Sequence, residues 1–226
     1  MSGNITVWGR PTSTRTLRVL WTLAEIGLDF DLVLASGTMG AGGSIENGNA
    51  PYGIVDTPDY RAMNPMGTVP TIRDGDFTLC ESNSITRYLA MKYAPDLLYG
   101  DDIETFARAS RWMDWDNNEV IESQHTLVLE HVRLRPEQRD SQRAAMAHAD
   151  QARLYGIVDE QLGRTPFIAG DTFSMGDIGI GIHCHRWHLY GLDYPDLPNV
   201  ARWYAPLRQR PAWAKWVEPR EHHLVG

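Results

Sequence analysis

The chain has 226 residues, 42% of them apolar, with 29 acidic side chains against 21 Lys plus Arg and a formal charge of -8. That suits one large or two small domains with a sizeable core, and it lacks the electrostatic footprint of a general nucleic-acid binder. No apolar run approaches the ~20 residues of a membrane span. Arg10, Arg15 and Arg18 break up the start of the chain, and Cys80 and Cys184 are too few and too far apart for a disulfide framework. A cytoplasmic protein without membrane contact or secretory signal is therefore expected.

Ile5 to Trp8 is β-branched and aromatic and predicts a short strand. Thr14 to Ile26 carries Leu17, Leu20, Trp21 and Ala24 on one helical face, and Gly27 is placed to end that helix. Phe30 to Leu34 predicts a second strand, and a β-α-β start of this length implies parallel pairing. Residues 36–53 are rich in Gly, Asn and Ser and read as a long surface loop; neither a dinucleotide nor a phosphate-loop pattern is complete there. Thr68 to Ile72 and Phe77 to Cys80 predict a hairpin around Arg73-Asp-Gly-Asp, and Ser82 to Tyr93 a helix stopped by Ala94-Pro95.

Beyond Glu104 the pattern is helical. Glu104 to His131 places Phe106, Ala109, Met113, Val120 and Leu127 on one buried face. Gln138 to Leu162 is a second helix, ended by Gly163. Ser174 to Tyr190 is strongly apolar and should be buried, while Asn199 to Arg208 and Ala212 to Val217 are shorter. Ser174 and Asp177 are spaced as a capping box, with Phe173 as the hydrophobic staple.

Three places carry possible chemistry. Glu81-Ser-Asn-Ser turns a strand end into a helix start, whose outward N–H groups and dipole suit a carboxylate. Glu81 beside it suits an amine, so the turn fits an amino-acid-like group carrying both charges. Thr12, Ser13 and Thr14 sit where the first helix begins and all qualify as caps. His183, Cys184, His185 and His188 form a cluster without a fixed four-ligand spacing, so buried or pocket-edge roles are expected and no metal.

The segments Trp8-Gly-Arg-Pro-Thr-Ser-Thr-Arg-Thr-Leu-Arg-Val-Leu-Trp, Asn64-Pro-Met-Gly-Thr-Val-Pro, Glu81-Ser-Asn-Ser-Ile, Phe173-Ser-Met-Gly-Asp-Ile and Arg210-Pro-Ala-Trp occur in the order found in cytosolic glutathione transferases. The chain resembles that family over nearly its whole length. The resemblance implies a thioredoxin-like α/β domain over residues 1–97 and an all-helical domain over 103–226. It implies a homodimer that uses glutathione as co-substrate, without a metal, to attack a small hydrophobic electrophile held between the domains.

In serine-type members the residue at the first helix donates a hydrogen bond to glutathione's sulfur. That position falls on Ser13, or on Thr12 or Thr14 if the loop is offset by one. A free thiol ionises near ~8.5, and only the thiolate is a good nucleophile. Arg10 and Arg15 read as solvated side chains that could assist. The resemblance further implies a cis Val69-Pro70 bond presenting Val69's backbone to the cysteinyl unit. It assigns Ser82 to the γ-glutamyl carboxylate, Glu81 to its amine, and Asn64 to the neighbouring loop. Family members often meet the glycyl carboxylate with Lys, His or Gln, which Tyr52 to Tyr60 lacks; Arg61 is a substitute. Trp112, Trp115 and Glu119 share one face of the helix that borders the electrophile pocket in the family, although core packing is the plainer role for at least one tryptophan. A glutathione-dependent lyase, dehalogenase or isomerase, or a non-catalytic ligand carrier, could use the same scaffold.

Overall fold

A computed structural model of the protein describes residues 5–36, 54–98 and 102–224. The glycine-rich loop expected over 36–53 lies outside them except for Ser36. Strand β1 (Ile5–Gly9) leads into helix α1 (Thr14–Glu25), which returns to strand β2 (Phe30–Leu34). The short helix α2 (Pro58–Met63) precedes the hairpin of β3 (Thr71–Asp74) and β4 (Phe77–Cys80), and helix α3 (Ser82–Tyr93) follows. The sheet order is β2-β1-β3-β4, with β1 and β2 parallel and the other pairs antiparallel. This is the thioredoxin-like arrangement expected.

Two local expectations change. The hairpin turn is Gly75–Asp76, so Arg73 and Asp74 belong to β3, while Thr68 to Pro70 form the loop before it. Gly75 has φ +60, which a two-residue hairpin turn demands. Asp74 is drawn into the strand because Tyr88, Lys92 and Tyr93 of α3 all donate to its carboxylate, at 2.7–2.8 Å. Helix α2 was not foreseen; Thr57 caps it and Pro58 starts it.

After α4 (Pro95–Leu98), the described regular elements are helical apart from an isolated bridge between Phe167 and Gly170. The long rod expected over 104–131 is α5 (Ile103–Trp115), a π-turn (Asp116–Val120), α6 (Ile121–Val128) and a second π-turn (Leu129–Arg133). Then come α7 (Ser141–Leu162), α8 (Met175–Leu189), α9 (Pro198–Arg208), α10 (Pro211–Trp216) and α11 (Glu221–Leu224). The capping box forms at α8: Ser174 Oγ accepts from Gly176, and Asp177 accepts from the Ser174 N–H.

Helix α1 belongs to two cores. Val19, Leu20 and Leu23 pack on Ile5, Val7 and Ile72 of the sheet and on Ile85 and Leu89 of α3. Its other side sends Leu17 and Trp21 into the helical core. Trp21 meets Trp213 edge-on at 5.0 Å and Phe173 at 5.7 Å. Gly181 on α8 lets that tryptophan approach, since a Cβ there would stand 3.3 Å from its ring. Polar ties cross the same seam: Arg210 grips Glu25 through two hydrogen bonds of 2.7 and 2.8 Å, and Asn83 donates to the Met113 carbonyl. The two layers therefore hold whatever lies between them in fixed relation.

Candidate active site

A cavity of about 430 Å³ opens where α1 begins. One wall is thioredoxin-like: Arg10, Ser13, Thr14, Arg15, Ser36 and the loop residues Gly67, Thr68 and Val69. The opposite wall is helical: Ile121, Gln124, His125 and Val128 of α6, Arg133 beyond it, and His183 and Arg186 of α8.

Ser13 is both cap and wall. Its φ and ψ are extended, and its Oγ accepts from the Thr16 N–H at 3.4 Å, a long bond that leaves the hydroxyl proton available to donate. Thr14 also borders the cavity. Thr12 is absent from its described lining, and its carbonyl accepts from Arg186 at 3.1 Å. Of the three candidates, Ser13 and Thr14 border the cavity and Thr12 is not among its described lining.

The Val69-Pro70 bond is cis, and Val69 borders the cavity. Asn64 does not reach the cavity. Its side chain, 1% exposed, donates to the Thr68 carbonyl and Thr71 Oγ1 and accepts from the Met66 N–H, so it shapes the loop that carries Val69. Arg61 lies over Gly67 and pairs with Asp56 at 3.2 Å.

Pairing of Thr71 with Cys80 brings the start of α3 beside the residue after Pro70. There Glu81 is exposed and adopts φ 70, ψ 110, a left-handed conformation that costs a non-glycine residue about 1–3 kcal/mol. Ser82 behind it is buried. Neither is part of the cavity's described lining, so the two lie along the sheet edge rather than at the Ser13 end.

Trp112, Trp115 and Glu119 do not join this site. The two tryptophans meet edge-on at 5.1 Å and border a separate cleft of about 260 Å³ with Arg111, Ile157 and Gln161, against α7. Glu119 is exposed on the intervening π-turn. The cavity wall comes from α6 instead, at Ile121, Gln124, His125 and Val128, whose spacing is itself that of one helix face.

Arg10, read from sequence as solvated, is only 3% exposed. Arg15 donates to Asn117 at 2.7 Å across the seam. Arg18 is 2% exposed and bridges the layers: it donates to Asn83 at 2.9 Å and to Asp116 at 2.5 Å. Asp116 also receives His183 Nδ1 at 2.8 Å. Burial pushes the Asp116 carboxyl up, but His183 and Arg18 outweigh it and hold the group ionised, below the usual carboxylate range. Burial pushes His183 down, although Asp116 beside it pulls the other way. The other members of the histidine cluster are engaged elsewhere: His185 Nδ1 with Tyr204 at 2.5 Å, and His188 Nδ1 with the Cys184 carbonyl at 2.7 Å. The Cys184 thiol is buried and its ionisation is pushed far up. Among the described residues no group of three or more His, Cys, Asp or Glu is placed to hold a metal ion.

Comparison with known proteins bears on this geometry. The glutathione S-transferase N-terminal domain family matches residues 12–92, and the corresponding C-terminal domain family matches 136–218. The chain belongs to the glutathione S-transferase family. Glutathione S-transferase GstB of Escherichia coli K12 is 35% identical over 215 residues, 94% of this chain and 97% of the relative. Glutathione S-transferase 3 of Zea mays is 30% identical, covering 93% of this chain and 92% of its own. The theta class glutathione S-transferase of Xanthomonas axonopodis pv. citri, solved with glutathione bound, superposes with a TM-score of 0.86 at 36% identity over 96% of this chain and 98% of that one. Membership accounts for the thioredoxin-like and helical layers together.

Proposed function

We propose that this member of the transferase family binds glutathione along the thioredoxin-like layer and ionises its thiol beside Ser13. The thiolate then attacks a small electrophile held against α6 and α8. The observation that carries this reading is the Ser13 hydroxyl at a helix start, on the wall of a cavity closed by the second layer. An exposed thiol would be a few per cent ionised at neutral pH. One hydroxyl donor to a charged sulfur contributes about 1.5–3 kcal/mol, which lowers the thiol pKa by about 1–2 units, and the helix N-terminus adds to it. Glutathione pairs its cysteinyl backbone with Val69. Its γ-glutamyl end lies at the start of α3, with the carboxylate on Ser82 and the amine on Glu81. Strain held at Glu81 fits a residue that is aimed for binding, because the backbone there is bent to present it.

The division of labour follows residues 1–97 for glutathione and 103–226 for the electrophile. The protein pairs as a homodimer: Phe77, in contact with Tyr88 at 4.8 Å, and Met91 one turn further on α3 leave exposed apolar surface on the β4–α3 side. It acts in the cytoplasm, in keeping with two free cysteines and with no described helix long and apolar enough to cross a membrane. Turnover of glutathione with a panel comprising an aryl halide, an epoxide, a haloacid and a peroxide tests the reading. Conjugation of at least one supports it; glutathione binding without turnover of any would make the protein a carrier.

A further inference from the structure

The helical wall of the cavity carries four side chains of α6 spaced at i, i+3, i+4 and i+7: Ile121, Gln124, His125 and Val128. Val128 is buried and Ile121 half-buried, and together they give the wall an apolar surface. The neighbouring polar groups spend their donors inside the protein. Gln124 donates its amide N–H to the His183 carbonyl at 2.8 Å. His183 is fully buried with Nδ1 on Asp116, and Arg186 donates to the carbonyls of Thr12 and His222. His125 differs. It is exposed on the same wall and makes no hydrogen bond to any described residue.

On the proposed reading glutathione runs along the opposite wall, from Glu81 and Ser82 past Val69, with its sulfur beside Ser13. Whatever the thiolate attacks then lies between Ser13 and α6, within reach of His125. An imidazole carries at least one N–H in both of its usual protonation states, so it serves as a donor in either. Burial first, then the charges of Arg133 and Arg15, hold the ionisation of His125 down, which favours the neutral ring. A neutral imidazole N–H still polarises an oxygen on which charge develops.

We propose that His125 is a catalytic residue: its N–H donates to a substrate oxygen that gains negative charge as the thiolate attacks, which fits this cavity to epoxides and α,β-unsaturated carbonyl compounds. The inference rests on the proposed transferase reading. With an epoxide the step balances simply. The glutathione thiol gives its proton to solvent, and the thiolate forms a C–S bond at a ring carbon. The C–O bond to that carbon breaks with its electron pair on oxygen. His125 holds the oxyanion by a hydrogen bond until it takes a proton from solvent, so the sum is glutathione added across one C–O bond.

The test compares 1,2-epoxy-3-(4-nitrophenoxy)propane with 4-nitrobenzyl chloride. Both carry a nitrophenyl group, but charge develops on oxygen in the first and on the departing chloride, a poor hydrogen-bond acceptor, in the second. Each kcat/KM is divided by the uncatalysed rate constant. His125→Phe keeps a ring and removes the donor, so the enhancement of the epoxide should fall about tenfold or more relative to that of the chloride. That is less than a buried oxyanion donor contributes, because this ring is exposed. His125→Gln restores an N–H and should recover part of the loss. Both variants should unfold at the wild-type urea midpoint, since the side chain is exposed and holds no described partner. An equal loss for both substrates, or no loss, would overturn the inference while leaving the transferase reading intact, as would a wild-type protein that conjugates the chloride and not the epoxide. If His125→Phe raises the KM for glutathione and leaves the epoxide-to-chloride ratio unchanged, His125 serves glutathione and the inference falls. Failure of the wild-type protein to bind glutathione refutes the reading beneath it.

Discussion

Removing the Asp177 carboxylate should be among the most damaging single changes in the helical layer. Four donors converge on it: the Ile168 N–H at 3.0 Å, the Ser174 N–H at 2.9 Å, Ser174 Oγ at 3.1 Å and Trp203 Nε1 at 2.7 Å. Asp177 is completely buried and Trp203 nearly so. In Asp177→Ala the hydroxyl can turn elsewhere, but three N–H groups lose their acceptor where water cannot replace it. At about 1–3 kcal/mol per stranded donor, less the relief of no longer burying a charge, the loss should be about 3–6 kcal/mol. A capping box alone would predict about 1 kcal/mol, so the excess measures the ties to Ile168 and Trp203. Asp177→Asn keeps one acceptor oxygen and turns an N–H toward the other donors, so it should cost about 1–3 kcal/mol. Urea unfolding followed by circular dichroism gives both values from the shift in midpoint at constant slope. A loss below about 1 kcal/mol for Asp177→Ala would refute the claim that this carboxylate organises the layer.

Other consequences can be measured the same way or by steady-state kinetics. Glu81→Gln should raise the KM for glutathione about tenfold or more and Ser82→Ala by a similar or smaller factor, with kcat less affected, the pattern of lost ground-state binding; an unchanged KM would remove the assignment. Asp116→Asn leaves the Arg18 guanidinium buried without its counter-charge and should cost about 3–5 kcal/mol in urea. Gly179→Ala should act on the same pair, because its Cβ would stand 2.6 Å from Asp116 Oδ2; wild-type stability in either variant would show that the seam does not depend on it. Acid should also weaken the fold. His185 is brought down to about 4, chiefly by burial, and His183, His188 and His223 are lowered too. The unfolded chain then binds more protons below about pH 6.5, so this stability is complete above that value and lost as pH falls. His185 alone should cost about 2 kcal/mol between pH 7 and pH 5, seen as a lower urea midpoint.

The layers were legible because their signals are local. Periodicity marked α1, a continuous apolar run marked α8, Asp-Gly marked the hairpin, and the capping pair marked where α8 starts. Ser13 was legible as a cap, and the family motif supplied the cis bond at Pro70. The direction in which a helix face points was not legible. Trp112 and Trp115 share a face, but the π-turn at Asp116 to Val120 shifts the register, so the cavity is lined by α6 while the tryptophans turn to α7. Nor does a sequence show that an arginine is buried. Arg10, Arg18 and Arg186 look like surface residues until Asp116, Asn83 and the Thr12 carbonyl are brought to meet two of them from distant segments, and until a cavity wall forms around the third.

Whether Ser13 activates a bound thiol is decided by titrating the thiolate absorbance of glutathione in complex with the wild-type protein and with Ser13→Ala. The wild-type complex should ionise clearly below the free-thiol value of ~8.5, and Ser13→Ala should move the midpoint back up by about 1–2 units while glutathione still binds. Coincident curves for the two proteins, or a wild-type midpoint at the free-thiol value, would contradict the proposed mechanism and leave Ser13 as a helix cap alone.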